Sequence, residues 1–124
     1  MRTAMQQSGD DAESIAAAHL ERAGWSILAR NIHAGRGELD IVAIDPGPPR
    51  ELVVVEVRRR SSRAFGLPEE TVAHRKRAHL RAAIGRLLED GLPDGTALPP
   101  LPLRVDLVVV EPKAPLRHHR AIAL

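Results

Sequence analysis

Near the start of the chain, Ala12, Ile15, Ala16, His19, Leu20 and Ala23 recur at spacings of three and four. That period predicts an amphipathic helix over residues 9–23. Ser8 would be its N-cap, Asp10, Asp11 and Glu13 would occupy its first turn, and Gly24 would cap its C-terminus. Residues 1–7 are polar and expected to fray. The pattern then shortens. Trp25 to Asn31 reads as a first strand and Ala34-Gly35-Arg36-Gly37 as a turn. Residues 38–44 and 51–58, rich in Val, Ile and Leu, are the two clearest strands. Asp45-Pro46-Gly47-Pro48-Pro49-Arg50 lies between them. With three prolines and a glycine it cannot continue a sheet, and it is short enough to close a hairpin.

Beyond a loop over residues 61–66, Pro68 sits at a first helical position with Glu69 and Glu70 behind it. Val72, Leu80, Ala83, Ile84 and Leu87 form the stripe of a helix over residues 67–90, ending near Gly91. Residues 92–102 contain four prolines and read as a loop. A fourth strand is expected over residues 104–110, closed by Pro112, and a short edge strand within 117–123. The order αβββαβ(β) describes a mixed α/β domain built on a meander, not a doubly wound sheet.

At 124 residues the chain is expected to form one domain, 1–124, with its core over about 9–110. A content of 44% hydrophobic and 27% charged residues is that of a globular protein. The longest apolar runs, at Leu52 to Val55 and Leu107 to Val110, are too short to span a bilayer. With a polar N-terminus and no leader pattern, the expectation is a cytoplasmic protein without a membrane partner. The absence of cysteine excludes a disulfide scaffold, a thiol nucleophile and a cysteine zinc site. Trp25 and Phe65 are the whole aromatic complement, which argues against a base-stacking platform for single strands.

The net charge of +2 conceals an asymmetry. Residues 1–56 carry five Arg against nine Asp and Glu, whereas residues 57–86 carry nine basic residues against two acidic ones. A basic belt beside an acidic segment suits a polyanion held over a metal site.

Alternation along the strands puts Glu38, Asp40 and Val42 on one face, and Val54, Glu56 and Arg58 on one face of the next strand. A hairpin centred between Gly47 and Pro48 pairs position 40 with about position 55. A single-residue slip in the proline-rich turn would set Asp40 beside Glu56. Directly opposed side chains lie roughly 4.5–5.5 Å apart at Cβ, and two carboxylates at that range repel unless a cation or proton lies between them. A divalent metal is one reason to build such a pair. Mg²⁺, or Mn²⁺ in its place, takes one or two carboxylates and keeps several waters. It would activate a water and neutralise charge on a phosphate, with Arg58 on the same face beside that phosphate. The alternative is that Glu38, Asp40 and Glu56 are solvated at strand ends, or paired with Arg36, Arg58 or Arg60. Spacing alone leaves both open.

Gly9-Asp10-Asp11-Ala12-Glu13, Ala29-Arg30-Asn31, Gly37-Glu38-Leu39-Asp40-Ile41-Val42-Ala43, Val55-Glu56-Val57-Arg58-Arg59-Arg60, Phe65-Gly66 and Arg104-Val105-Asp106-Leu107-Val108 fall in this order along the chain. The arrangement resembles the YraN-like family of small bacterial proteins over about residues 9–110. That family in turn resembles the PD-(D/E)xK nuclease superfamily and its Holliday-junction resolvases. The resemblance implies a restriction-endonuclease-like fold, with nucleic acid as substrate or ligand. By position it makes Asp40 and Glu56 the metal ligands, brings Glu13 in from the first helix, and puts a catalytic lysine at position 58. Arginine stands there instead, and an arginine stays charged and cannot serve as a base. Lys76 is the lysine nearest to hand as a replacement.

Three functions follow as expectations. One is a Mg²⁺-dependent endonuclease acting on structured or branched DNA, with a homodimer as a further expectation. In it Asp40 and Glu56 hold the metal, Glu13 and Glu38 support it, and Arg58 stabilises the attacked phosphate. The second is a nucleic-acid-binding protein that lost catalysis with its lysine. The third is a metal-free interaction domain with internal salt bridges. Arg59, Arg60, Arg63, Arg75, Lys76 and Arg77 are the expected phosphate contacts, against the plain reading of a solvated basic face. Asp106 is expected to be structural and paired with an arginine. The histidines, with no shared-face spacing, are expected at the surface, and Trp25 in the core.

Overall fold

The computed structural model describes residues 4–35, 37–59 and 74–124, and within them the side chains of all but residues 4–10, 74 and 75. The expected loop at 61–66 and the helix start at Pro68 lie outside the described residues.

Helix α1 spans Ala4–Arg22. It runs through Ser8, so the expected N-cap is an interior position. Ala4, Gln6 and Gln7 are good helix formers, and one Ser and one Gly lower propensity without ending the helix. Its buried residues are Ala12, Ala16, Ala17 and Leu20, while Ile15 stays 49% exposed. The contact stripe is therefore rotated toward the alanines, whose small side chains let the helix lie close on the sheet. Gly24, at φ +92°, ends the helix. The Trp25 amide donates to the Leu20 carbonyl and the Gly24 amide to that of Glu21, the paired closure of a Schellman turn.

Strands β1 (Ser26–Ala34), β2 (Gly37–Asp45) and β3 (Glu51–Arg59) follow as two hairpins. β1 outlasts its predicted end at Asn31, because pairing with β2 continues to Ala34↔Gly37. A side chain at Gly37 would meet the His79 carbonyl oxygen at 2.8 Å, so this glycine lets α2 cross close above the strand. Helix α2 (His74–Asp90) carries the chain to β4 (Leu103–Val110), which lies parallel to β3. Strand β5 (Arg117–His119) pairs antiparallel with β4. The sheet order is β1-β2-β3-β4-β5, a mixed sheet with the predicted succession αβββαβ(β).

Alternation sorts the sheet's apolar residues between the helices. Ile41, Ala43, Val53 and Val55 pack under α1, whereas Val42, Leu52 and Val54 pack under Leu80, Ala83, Ile84 and Leu87 of α2. Each helix thus covers one face, and burial of these stripes at roughly 25 cal/mol per Å² holds the layers together. Among the described residues, no helix is long and apolar enough to cross a membrane.

Candidate functional site

The β2–β3 hairpin fixes the site by its register. Asp45 pairs with Glu51 and Ile41 with Val55, leaving five residues in the turn and its centre on Pro48. That is the one-residue shift needed to carry position 40 toward position 56. At the turn Gly47 has φ +60°, and a side chain there would collide with the backbone of Pro49. Asp40 lies beyond the last of these pairs. There its Oδ2 accepts a 2.8 Å hydrogen bond from the Val57 amide, which ties the carboxyl of one strand to the backbone of the next.

Asp40 and Glu56 meet in this fork. Glu56 is 6% exposed. Burial, the charge of Glu56, a hydrogen bond between the two carboxyls and the charge of Glu13 together push the Asp40 pKa up to about 8, against the opposing pull of the Val57 amide. The pair holds a proton where a cation would otherwise be needed.

Three further side chains surround the pair. Lys76 reaches over from α2 and puts Nζ 2.8 Å from Glu56 Oε1. Arg58 is nearly buried, with Nε 4.0 Å from the same oxygen. Its Nε and Nη2 are buried and have no hydrogen-bond partner among the described residues. Glu13, from α1, accepts from Arg30 Nε at 3.0 Å, while Arg30 Nη2 donates to Ser14 Oγ. Both helices thus contribute to a centre set between two strands.

The structure does not bring Glu38 there. The β1–β2 ladder continues through His33↔Glu38 and holds that carboxylate on the side of β1, more than half exposed and 3.3 Å from His33 Nδ1. Of the expected phosphate contacts, Arg59 and Arg77 are exposed and Lys76 is half-exposed. Arg60, Arg63 and the Arg75 side chain lie outside the described residues, as does Arg36. Among the described residues no group of three or more His, Asp and Glu side chains could hold a metal ion. A metal here would rest on two protein carboxylates and water. Hard oxygen donors in that number suit Mg²⁺ or Mn²⁺.

A second polar centre lies under the α1 face. Asp106, fully buried, accepts from Arg104 Nε at 2.8 Å and Nη2 at 2.9 Å and from the Ala121 amide at 3.0 Å, and lies 2.8 Å from His118 Nε2. Arg104 also reaches Asp45 and Glu51 at 2.9 Å. Burial opposes ionisation of Asp106, but His118, Arg104 and the Ala121 amide hold its pKa down to about 2. The same balance, with the Gly47 amide and Arg104 prevailing over burial, keeps the Asp45 carboxyl below its ordinary range. Trp25, 5% exposed, packs beneath Arg104 and against His118. Asp106 thus pairs with an arginine as expected, but His118 is not the surface histidine its sequence position suggested. Its neighbour His119 points the other way on a three-residue strand, and only the tertiary pairing of β5 shows which of the two turns inward.

The model of an uncharacterised protein family, UPF0102, matches residues 12–110. A UPF0102 protein of Bifidobacterium longum subsp. infantis is 38% identical over 116 residues, covering 92% of this chain and 90% of its own. One from Dehalococcoides mccartyi is 34% identical over 110 residues, covering 89% and 84% respectively. One from Desulforamulus reducens is 47% identical over 73 residues, 59% of this chain and 58% of that protein.

Proposed function

From a chain that belongs to the uncharacterised protein family UPF0102, we propose a nucleic-acid-binding protein with a divalent-cation site at Asp40 and Glu56. Its activity on this reading is metal-dependent endonuclease cleavage of structured or branched DNA. The observation that carries the reading is the convergence of two carboxyls, one 6% exposed, with the other's pKa pushed up to about 8 by burial and by its neighbour. Even with a proton between them and Lys76 beside Glu56, two carboxyls drawn out of water into one fork are costly to keep for the fold alone, and a ligand that needs both is a physical reason to keep them.

Asp40 and Glu56 would hold Mg²⁺ or Mn²⁺, which when bound supplies charge neutralisation at a phosphate and an acidified water. Glu13 adds negative potential from α1. Arg58, whose Nε and Nη2 are buried without a hydrogen-bond partner among the described residues, would supply positive charge beside a phosphate oxygen. It stays protonated and takes no part as a base. Lys76 supplies from the helix the ammonium that position 58 lacks. Exposed Arg59 and Arg77, with the further arginines of the basic belt, extend the contact along the backbone. Cutting two strands of a branch calls for two such sites, hence a homodimer.

A second reading is favoured by Lys76 itself. An ammonium 2.8 Å from Glu56 is already an internal counterion, which suits a metal-free domain whose carboxylates serve only its own fold.

The test is incubation of the purified protein with branched DNA and Mg²⁺ or Mn²⁺. Nicking that disappears in Asp40→Asn and Glu56→Gln supports the endonuclease. Salt-sensitive binding without cleavage in either metal leaves the binding protein, and gain of cleavage by Arg58→Lys would make the arginine the cause. Neither binding nor cleavage favours the metal-free domain.

A further inference from the structure

Behind Glu56, strand β3, helix α2 and the end of the chain enclose a cavity of about 240 Å³. Its lining is of two kinds. Arg58, Lys76 and Arg77 face it with charge, and Leu80, Leu107 and Leu124 face it with hydrocarbon. Glu56 also borders it, but Lys76 already neutralises that carboxylate. Among the described side chains that line it, cations outnumber carboxylates by three to one. Arg58 Nε and Nη2 are buried with no hydrogen-bond acceptor among the described residues. A buried guanidinium with idle donors is destabilising until an acceptor arrives.

The apolar wall is built by the last residues of the chain. The Ala121 amide is held by Asp106 on the α1 side. The next residue, Ile122, donates to the Val105 carbonyl at 2.8 Å, and Leu124 packs into the cluster under α2. The segment therefore crosses the edge of the sheet and is fixed on both sides of it. A bare anion would satisfy Arg58 but leave this wall wet. A purely apolar ligand would leave the guanidinium idle. At about 240 Å³ the space is below the roughly 300–1,000 Å³ of drug-sized sites, so it takes one small unit rather than a length of polymer.

We propose that this cavity binds a phosphate monoester bearing a flat ring with apolar faces, such as a single 5′-phosphorylated nucleoside presents. The phosphate lies against Arg58, Lys76 and Arg77, and the organic body lies against Leu80, Leu107 and Leu124. The inference deepens the nucleic-acid reading and rests on it for the biological source of the ligand. Binding itself needs no metal.

The experiment is a calorimetric titration of the full chain, in EDTA at low salt, with deoxyadenosine 5′-monophosphate, with inorganic phosphate and with deoxyadenosine. The nucleotide is expected to bind at least about tenfold more tightly than either part, since only it uses both linings. Arg58→Met should weaken the nucleotide about tenfold or more. Leu124→Ala should weaken the nucleotide more than inorganic phosphate. Arg77→Ala, at an exposed position that tolerates substitution, gives a smaller loss in the same direction and stands in if Arg58→Met does not fold. No saturable nucleotide binding would overturn the proposal, as would inorganic phosphate binding as tightly as the nucleotide, or undiminished binding by both arginine variants. A Mn²⁺-induced rise in melting temperature, recorded on the same protein, reports on Asp40 and Glu56 separately. Its presence without nucleotide binding would overturn the cavity assignment alone.

Discussion

The ammonium of Lys76 lies 2.8 Å from Oε1 of Glu56, so the less exposed of the two converging carboxylates has a cation beside it before any ion enters. Lys76 is 49% exposed and tethered to a different layer of the fold from Glu56. Its ammonium is half in water and can leave more readily than a buried partner, but the Glu56 side chain, only 7% exposed, then needs another cation or a proton. A metal that uses Glu56 must displace or outcompete Lys76. Lys76→Met should therefore tighten Mn²⁺ binding by a few-fold, on the order of 1 kcal/mol, while lowering the melting temperature of the metal-free protein, because Glu56 loses its cation. Titration calorimetry measures this, and unchanged or weaker Mn²⁺ binding would contradict competition for Glu56.

The pH dependence of stability carries two opposite signatures. The raised pKa of Asp40, about 8, means that the folded state holds a proton which the unfolded chain releases near pH 4. Its contribution is fully present below pH 4 and is lost as pH rises toward 8, at up to about 1.4 kcal/mol per pH unit. Asp40→Asn keeps the shape without the charge and should flatten that decline. Urea unfolding of both proteins from pH 5 to 8 checks this, and parallel profiles would contradict the shift.

Asp106 acts in the other direction. Its pKa of about 2 gives stability that is present above pH 4 and lost as pH falls toward 2. Asp106→Ala would remove the fully buried acceptor shared by Arg104, His118 and the Ala121 amide, leaving Arg104 only Asp45 and Glu51. Breaking such a network costs about 3–5 kcal/mol. A denaturant midpoint near that of the parent protein would show that the network carries less than its geometry suggests.

Two glycines test the packing of α2. A side chain at Gly37 would lie 2.8 Å from the His79 carbonyl oxygen and 3.0 Å from Ala83 Cβ, whereas one at Gly85 meets nothing within 4 Å. Gly37→Ala should therefore destabilise by about 1–3 kcal/mol through overpacking. Gly85→Ala should stabilise by about 0.5–1 kcal/mol through helix propensity. Melting temperatures that move in the same direction would refute this view of the helix crossing.

Much of this was legible in the chain. The alternation of residues 38–44 and 51–58, with the prolines between them, is enough to specify the hairpin, because only a turn accommodates Gly47 followed by two prolines. The two carboxyls follow from the same pattern once the register is known. That register was not legible, since a turn of four residues and one of five differ by a single step that side-chain alternation cannot decide. The rotation of α1 that exposes Ile15 in favour of Ala17 depends on how closely a helix can approach this sheet, which is a tertiary quantity. The full Arg104 network escaped for a related reason. The pairing of Asp106 with an arginine was foreseeable, but Asp45 and Glu51 at the hairpin turn and His118 on the edge strand look like surface residues until strand order brings them to Arg104 and Asp106. Glu38 shows the opposite limit: it shares a predicted face with Asp40, yet pairing to His33 keeps it on the other strand's side.

The measurement closest to the centre of this account is the melting temperature of the full chain at pH 7.5 with Mg²⁺ or Mn²⁺ at constant ionic strength, beside that of Asp40→Asn. An ion held by Asp40 and Glu56 should raise the parent's melting temperature in step with its concentration. It should leave the variant unmoved. No rise in the parent, or an equal rise in both proteins, would mean that the converging carboxyls do not bind a metal.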